Sequence, residues 1–146
     1  MLEVVKFFAT LCCSIFAGAA IYINLVEHPA RMGCDTKTAA TVWAPSYKLA
    51  TIIQVSLTIV SFVSGVMVWI LGGSIIWLIG AAFIGSVVPF TLIIIMPTNR
   101  KLLMPGRDLT SEETRILLEK WGRLHAARSV LSLAAATVYI ILTIKA

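Results

Sequence analysis

Between Lys48 and Arg100 the sequence reads LATIIQVSLTIVSFVSGVMVWILGGSIIWLIGAAFIGSVVPFTLIIIMPTN, and none of these 51 positions carries a charged side chain. An α-helix needs about 20 apolar residues to cross the hydrocarbon core of a bilayer. The stretch is therefore too long for one membrane-spanning helix and suits two. The sequence Gly72-Gly73-Ser74 lies at its middle and predicts the turn that separates them.

Two further uncharged segments flank this stretch, at residues 7–26 and 129–144. The second would be roughly 24 Å long as an α-helix, which is shorter than the ~30 Å hydrocarbon layer. The last span is therefore expected to recruit residues back to about Leu124. The sequence predicts one all-α domain, an integral membrane four-helix bundle with spans at about 5–27, 47–71, 75–97 and 124–144.

The charge distribution supports a membrane protein and predicts its orientation. Only 13% of the residues are charged, whereas a soluble domain has about 25%. Ten Lys and Arg residues follow the first and third spans, and only Lys6 and Lys145 lie on the other side. Because basic loops stay in the cytoplasm, both termini are predicted to be non-cytoplasmic. The same rule attributes the net charge of +5 to these loops rather than to nucleic-acid binding.

The segment before the last span is predicted to be an amphipathic helix, at about residues 111–124, that continues into the span. Thr110 and Glu113 have the spacing of a capping box at its start. Its solvated stripe contains Glu112, Arg115, Glu119 and Arg123. The opposite face, which follows the apolar residues, carries Leu117, Trp121, Leu124, His125 and Arg128.

Polar residues gather where the spans meet the basic loops. On a continuous helix, Asn24, Glu27, His28 and Arg31 share one face at the end of the first span. The second span has a polar stripe at helical spacing: Tyr47, Thr51, Gln54, Thr58, Ser61 and Gly65. Ionisable groups at membrane depth are costly, so they normally pair or line a cavity. We therefore expect either internal pairs, such as Glu27 with Arg31 or Arg128, or a ligand site.

Plainer interpretations exist for several of these residues. Trp43, Tyr47 and Trp121 could form an aromatic belt at the membrane surface, and Asn99 could cap the end of the third span. Small residues on the first span, namely Cys13, Ala17 and Ala20, suit close packing within the bundle and equally permit a homo-oligomer.

The set could support proton abstraction from a lipophilic aromatic ketone. A histidine is the natural base near neutral pH, and His125 is the first choice with His28 second. Glu27 would orient a histidine or pair with an arginine. An enolate held by arginine and asparagine donors could then react with dioxygen. The predicted substrate-binding residues are Asn24, Arg31, Trp43, Tyr47, Gln54, Asn99, Trp121 and Arg128.

Two other functional classes stay open at this stage. Two histidines and a carboxylate can hold iron, but adjacent Glu27 and His28 project about 100° apart on a helix, so neither a metal nor another cofactor is predicted. Haem between the histidines of the first and last spans is the remaining redox alternative, although no attachment motif is present. The third class is a non-catalytic lipid-binding or membrane-scaffold protein, whose polar cluster binds headgroups or pairs internally.

Taken together, the motifs resemble the anthrone-oxygenase-like family of membrane proteins. The resemblance rests on the run from Asn24 to Arg31, Trp43 with Tyr47, Pro97-Thr98-Asn99, and Trp121 with His125 and Arg128, and it covers nearly the whole chain. It implies a small four-helix membrane protein, some of whose fungal relatives oxidise anthrones to anthraquinones without a known cofactor. It also implies that Asn24, Glu27, His28, Arg31, Asn99, Trp121, His125 and Arg128 belong to the site.

Overall fold

The computed structural model of the protein describes residues 1–145. It contains four helices that are long and apolar enough to cross a membrane, which we call the first to fourth helices: Leu2–Met32, Thr36–Ile70, Trp77–Leu102 and Glu112–Ile144. This confirms the predicted all-α four-helix bundle. The second helix has 35 residues and the fourth has 33, so each is roughly 50 Å long and extends past its predicted span at the basic-loop end. The orientation of the termini stays a prediction.

The turns lie close to the predicted positions, with one correction. The second helix ends at Ile70 and the third begins at Trp77, and Gly72 between them has a φ of +89°. At the fourth helix the predicted capping box is wrong, because Ser111 is the N-cap and its hydroxyl accepts the Thr114 N–H at 3.2 Å. The Thr110 hydroxyl instead donates to the Asp108 carboxylate at 2.6 Å, so the helix begins one residue later.

Two helices contain a π-helical turn, each placed just before a proline. The first helix is α-helical over Leu2–Tyr22, π-helical over Ile23–Glu27 and α-helical again over His28–Met32. The third helix has the same order, with the π-turn at Thr91–Ile95. Because Pro29 and Pro97 have no N–H and their rings clash with the preceding turn, a locally wider turn relieves the conflict.

The helices pack in a ring in chain order, so that the first contacts the second and fourth, and so does the third. One apolar cluster fills the end near Gly72, which we call the Gly72 end, with Phe16, Val68, Trp77, Ile84 and Tyr139 among its members. A second fills the basic-loop end and includes Ile23, Trp43, Ile95, Leu118 and Trp121. Buried polar side chains lie between the two clusters, including Gln54, Thr58, His125, Arg128 and Ser129.

Candidate active site

The fourth helix presents its residues as the pattern predicts. Trp121, His125 and Arg128 are buried, whereas Glu119 and Arg123 are exposed. The polar stripe of the second helix also turns inward, since Gln54, Thr58, Ser61 and Gly65 are all buried. These two helices therefore bring their polar faces together within the bundle.

Asn24 connects the first helix to His125. The Asn24 amide nitrogen donates to the Gly122 carbonyl at 3.1 Å, which assigns its oxygen to the other side. That oxygen lies 2.7 Å from His125 Nδ1 and accepts the Ser129 hydroxyl at 2.5 Å. An amide oxygen only accepts hydrogen bonds, so Nδ1 must carry a proton. In the neutral ring, the lone pair is therefore on Nε2.

His28 packs directly on the backbone of the fourth helix. A Cβ at Gly122 would lie 2.4 Å from His28 Nε2, so only glycine fits beside this ring. The ring centroid lies 5.2 Å from that of Trp121. Within residues 1–145, no group bonds the buried Nδ1 of His28.

Glu27 pairs with Arg31, one of the two ion pairs considered from the sequence, and both contact the second helix. Their carboxylate and guanidinium are in direct contact, and the Ser46 hydroxyl donates to Glu27 at 2.5 Å. The predicted single face is therefore wrong, because Asn24 and His28 face the fourth helix while Glu27 and Arg31 face the second. A π-turn rotates less per residue than an α-turn, which separates Glu27 from the direction of Asn24.

Arg128 is a buried cation, and its only side-chain hydrogen-bond partner among the described residues is the neutral Gln54. Its guanidinium donates to the Gln54 amide oxygen at 2.8 Å and lies 5.6 Å from the centre of the Phe16 ring. No carboxylate in the described chain forms an ion pair with it. Its Nε and the Gln54 Nε2 are both buried without a partner in the same residues. The site therefore has an excess of positive charge and free donors.

Aromatic rings form one wall of the site. Trp43 and Tyr47 stack with centroids 5.0 Å apart and planes 7° apart. Trp121 meets Trp43 edge-on at 5.7 Å and lies 4.9 Å from the His125 ring. Trp43 and Trp121 are almost fully buried, so the alternative of a surface aromatic belt is wrong for them.

Two adjoining cavities open among these residues. The smaller, about 10 Å³, is lined by seven of the predicted site residues: Glu27, Arg31, Tyr47, Gln54, Trp121, His125 and Arg128. The larger, about 130 Å³, lies between the second and third helices. Tyr47, Thr51, Gln54 and Arg128 line both, so the two cavities meet at the buried guanidinium.

Four predicted residues lie outside the small cavity. Asn24, His28 and Trp43 stand behind the lining residues that they contact. Asn99 lines neither cavity. It does not cap its helix, which continues to Leu102, and its buried amide has no partner within residues 1–145.

Sequence reasoning missed three residues that bond or closely contact the predicted site residues. Ser129, which bonds Asn24, lies four positions after His125, and that helical spacing could have revealed it. Gly122, which lies against His28, precedes His125 by three positions, so the same helical spacing places it on the His125 face of the helix. Ser46 had no such signal, because the sequence places it just outside the predicted second span. Within residues 1–145, no three His, Cys, Asp or Glu side chains are grouped to hold a metal ion.

The fold and site define a four-helix protein of membrane-spanning length with an enclosed, positively charged polar site. The sequence profile of the anthrone oxygenase family matches residues 43–138, which is 96 of 146 residues, and the chain belongs to this family. Membership confirms the resemblance and supports an oxygenase-like function.

One curated relative, anthrone oxygenase gedH of Aspergillus terreus (strain NIH 2624 / FGSC A1156), is 42% identical over 55 residues. The aligned part covers 36% of this chain and 37% of that relative. No solved structure matches the chain.

Proposed function

We propose that the protein oxidises a lipophilic aromatic ketone of the anthrone type with dioxygen, using His125 as base and Arg128 as oxyanion holder. The observation that carries the proposal is the unneutralised Arg128 guanidinium, which lines the same cavity as an oriented histidine. A buried cation without a carboxylate partner is costly. An anionic form of the substrate would supply the missing charge.

The proton step uses the fixed ring of His125. Because Asn24 holds Nδ1 in its protonated form, Nε2 is the basic nitrogen. The cavity that His125 lines, about 10 Å³, has room for roughly one water molecule. We propose that a single water passes the proton from the ring carbon opposite the carbonyl to Nε2. His28 lines neither cavity, so it ranks behind His125 as base.

Arg128 and Gln54 stabilise the charge that this step creates. Removing the proton moves an electron pair onto the carbonyl oxygen and gives an aromatic enolate. Their unpaired donors would bind that oxygen more strongly as its charge grows, which accelerates the step. In this proposal Glu27 pairs with Arg31 and shapes the polar wall of the cavity.

Dioxygen is the oxidant that completes the reaction. The enolate carbon transfers two electrons to dioxygen, a carbon–oxygen bond forms, and the terminal oxygen takes back the proton held by His125 to give a hydroperoxide on that carbon. The same carbon then loses its second proton as the oxygen–oxygen bond breaks, and a new carbonyl forms. The departing hydroxide takes a proton to become water, so one dioxygen gives one quinone oxygen and one water.

Oxidation of 9-anthrone by the purified protein in lipid nanodiscs tests the proposal, with oxygen consumption and quinone absorbance as readouts. Loss of a general base lowers the rate by about 10²–10⁴-fold, so we expect a decrease of that size in the oxidation rate of His125→Ala. The rate of His28→Ala should decrease by less than about tenfold. Wild-type rates in both variants would overturn the assignment.

Two measurements address the alternative classes. A Soret band, or stoichiometric metal in an active preparation, would replace the proposal with a haem or metal mechanism. Stoichiometric phospholipid in the site with no turnover would favour the lipid-binding class.

A further inference from the structure

We infer that the substrate enters from the bilayer, between the second and third helices, and that the 130 Å³ cavity there binds its central, carbonyl-bearing ring. The inference rests on the proposed function for the class of substrate. It assigns a separate ring site and an entry route to that substrate.

The larger cavity has apolar walls and a polar base. Val55 on the second helix, and Val88 and Leu92 on the third, line it and are themselves exposed on the apolar surface of the bundle. At its inner end lie Gln54 and Arg128, which are only 3% and 9% exposed. A ligand that fits must therefore be apolar along its length and carry a hydrogen-bond acceptor at its inner end.

The cavity volumes decide how a three-ring ketone would be placed. A cavity of roughly 150 Å³ lined by apolar side chains can bind benzene, so about 130 Å³ holds about one ring. The cavity beside His125, at about 10 Å³, is too small for any ring. The central ring would occupy the larger cavity with its carbonyl oxygen toward Arg128 and Gln54. The two outer rings would lie at the mouth, among exposed Val55, Val88 and Leu92, where lipid chains would cover them.

The opposite route, through the basic-loop end, is closed to such a molecule. The apolar cluster there covers the site with Trp43, Leu118 and Trp121, all of which are buried. Partly exposed Glu27 offers a polar opening on that side, which suits water and not a ring system. The bilayer route is therefore the one that fits the substrate.

The third helix departs from regular α-helical geometry beside the mouth of the larger cavity. Pro89 lies inside its α-helical part, and the π-turn Thr91–Ile95 follows directly. The Thr91 hydroxyl donates to the Val87 carbonyl at 2.7 Å, so this polar side chain satisfies its own helix beside the apolar mouth. π-turns are frequent at functional sites, and this one contributes Thr91 and Leu92 to the cavity wall.

The test compares Val88→Trp with Val130→Trp in lipid nanodiscs. Val130 is an exposed valine of the fourth helix that lines neither cavity, so its variant is the matched control. Saturation binding of radiolabelled anthraquinone is measured against empty nanodiscs. We expect Val88→Trp to raise Kd at least tenfold and Val130→Trp to change it less than twofold. Val55→Trp, on the other side of the mouth, repeats the test if Val88→Trp does not fold.

The outcomes separate this inference from the proposed function. Equal binding by both tryptophan variants would overturn the ring site and entry route, even if His125→Ala had lost oxidation. Weakened binding in Val88→Trp supports the ring site. If the histidine variants nevertheless oxidised anthrone at the wild-type rate, the catalytic proposal alone would fail.

Discussion

At the Gly72 end, side chains fill the bundle so closely that Tyr139 needs two glycines beside it. A Cβ at Gly65 would lie 2.0 Å from its hydroxyl, and one at Gly80 would lie 2.4 Å from its ring. The basic-loop end also contains a close glycine contact, between Gly122 and His28. The basic-loop end differs in that it contains buried hydrogen-bond donors, on Arg128 and Gln54, that have no partner among the described residues.

The two ends of the bundle differ in how many buried polar atoms lack a hydrogen-bond partner, which indicates a packing role for the Gly72 end and a binding role for the basic-loop end. A buried polar group without a partner costs about 1–3 kcal/mol, and within residues 1–145 the Gly72 end carries one such group, the Tyr139 hydroxyl. The basic-loop end carries several, including those of Arg128, Gln54 and Asn99. Such a set of donors and acceptors suits the binding of a polar group of a ligand. Substitutions at the two ends should therefore affect stability and activity differently.

Among substitutions that compare the two ends, the largest effect is expected from Arg128→Met, which removes the charge but keeps most of the side-chain volume. Loss of an oxyanion donor costs about 10²–10³-fold in rate, so kcat for 9-anthrone should fall in that range. The thermal unfolding temperature should stay close to the wild-type value, because relief of the desolvation cost of the unpaired charge offsets loss of the hydrogen bond to Gln54. Arg123→Met, on the exposed stripe, is the control, and an equal loss of rate there would contradict the assignment.

Gly80→Ala should show the opposite pattern. Its new Cβ would meet the Tyr139 ring at 2.4 Å, and overpacking of this kind costs about 1–3 kcal/mol. Thermal unfolding in detergent should therefore begin at a lower temperature, while the rate per folded molecule stays at the wild-type value. Gly18→Ala is the control, because a Cβ at Gly18 would have no atom within 4 Å, and this variant should not lower stability. A selective loss of rate in Gly80→Ala would show that the two ends are coupled.

Asn24→Leu tests whether this residue positions His125. Loss of the bond to Nδ1 leaves the ring free to adopt the other tautomer, and we expect kcat to fall by on the order of 10–100-fold with KM unchanged. Ser129→Ala removes only the second bond to the same oxygen, so its effect should be smaller. A rise in KM with kcat unchanged would instead indicate that Asn24 binds substrate.

The smallest effect concerns Asp35, outside the site at the start of the second helix. The Thr38 hydroxyl and backbone N–H hold the pKa of the Asp35 carboxyl below its ordinary value of 3.8. Because the folded-state pKa of Asp35 is lowered, the carboxylate stabilises the fold at pH values above its ordinary pKa. This stabilisation is lost as the pH falls through the folded-state pKa. Asp35→Asn keeps a capping side chain but should lose this pH dependence. Denaturation from about pH 5 to about pH 2 measures the difference, and identical pH profiles would refute it.

The sequence predicted the helices more completely than the site because helix signals are local. Uncharged runs and the Gly72-Gly73 turn lie within single stretches of chain, and the fourth-helix pattern placed Trp121, His125 and Arg128 inside the bundle. The N-cap of that helix was predicted at Thr110 and lies at Ser111, because the Thr110 hydroxyl bonds the Asp108 carboxylate instead.

The amino-acid sequence by itself determined four helices of spanning length, the family and the inward face of the fourth helix, because each depends on residue order within one segment. Only the tertiary structure decided that Asn24 sets the His125 tautomer, across 101 positions of sequence. It likewise decided that Glu27 pairs with Arg31, so that Arg128 contacts a neutral amide beside the larger cavity. Such partners depend on how helices distant in sequence rotate against one another, and the π-turn at Ile23–Glu27 changes that rotation.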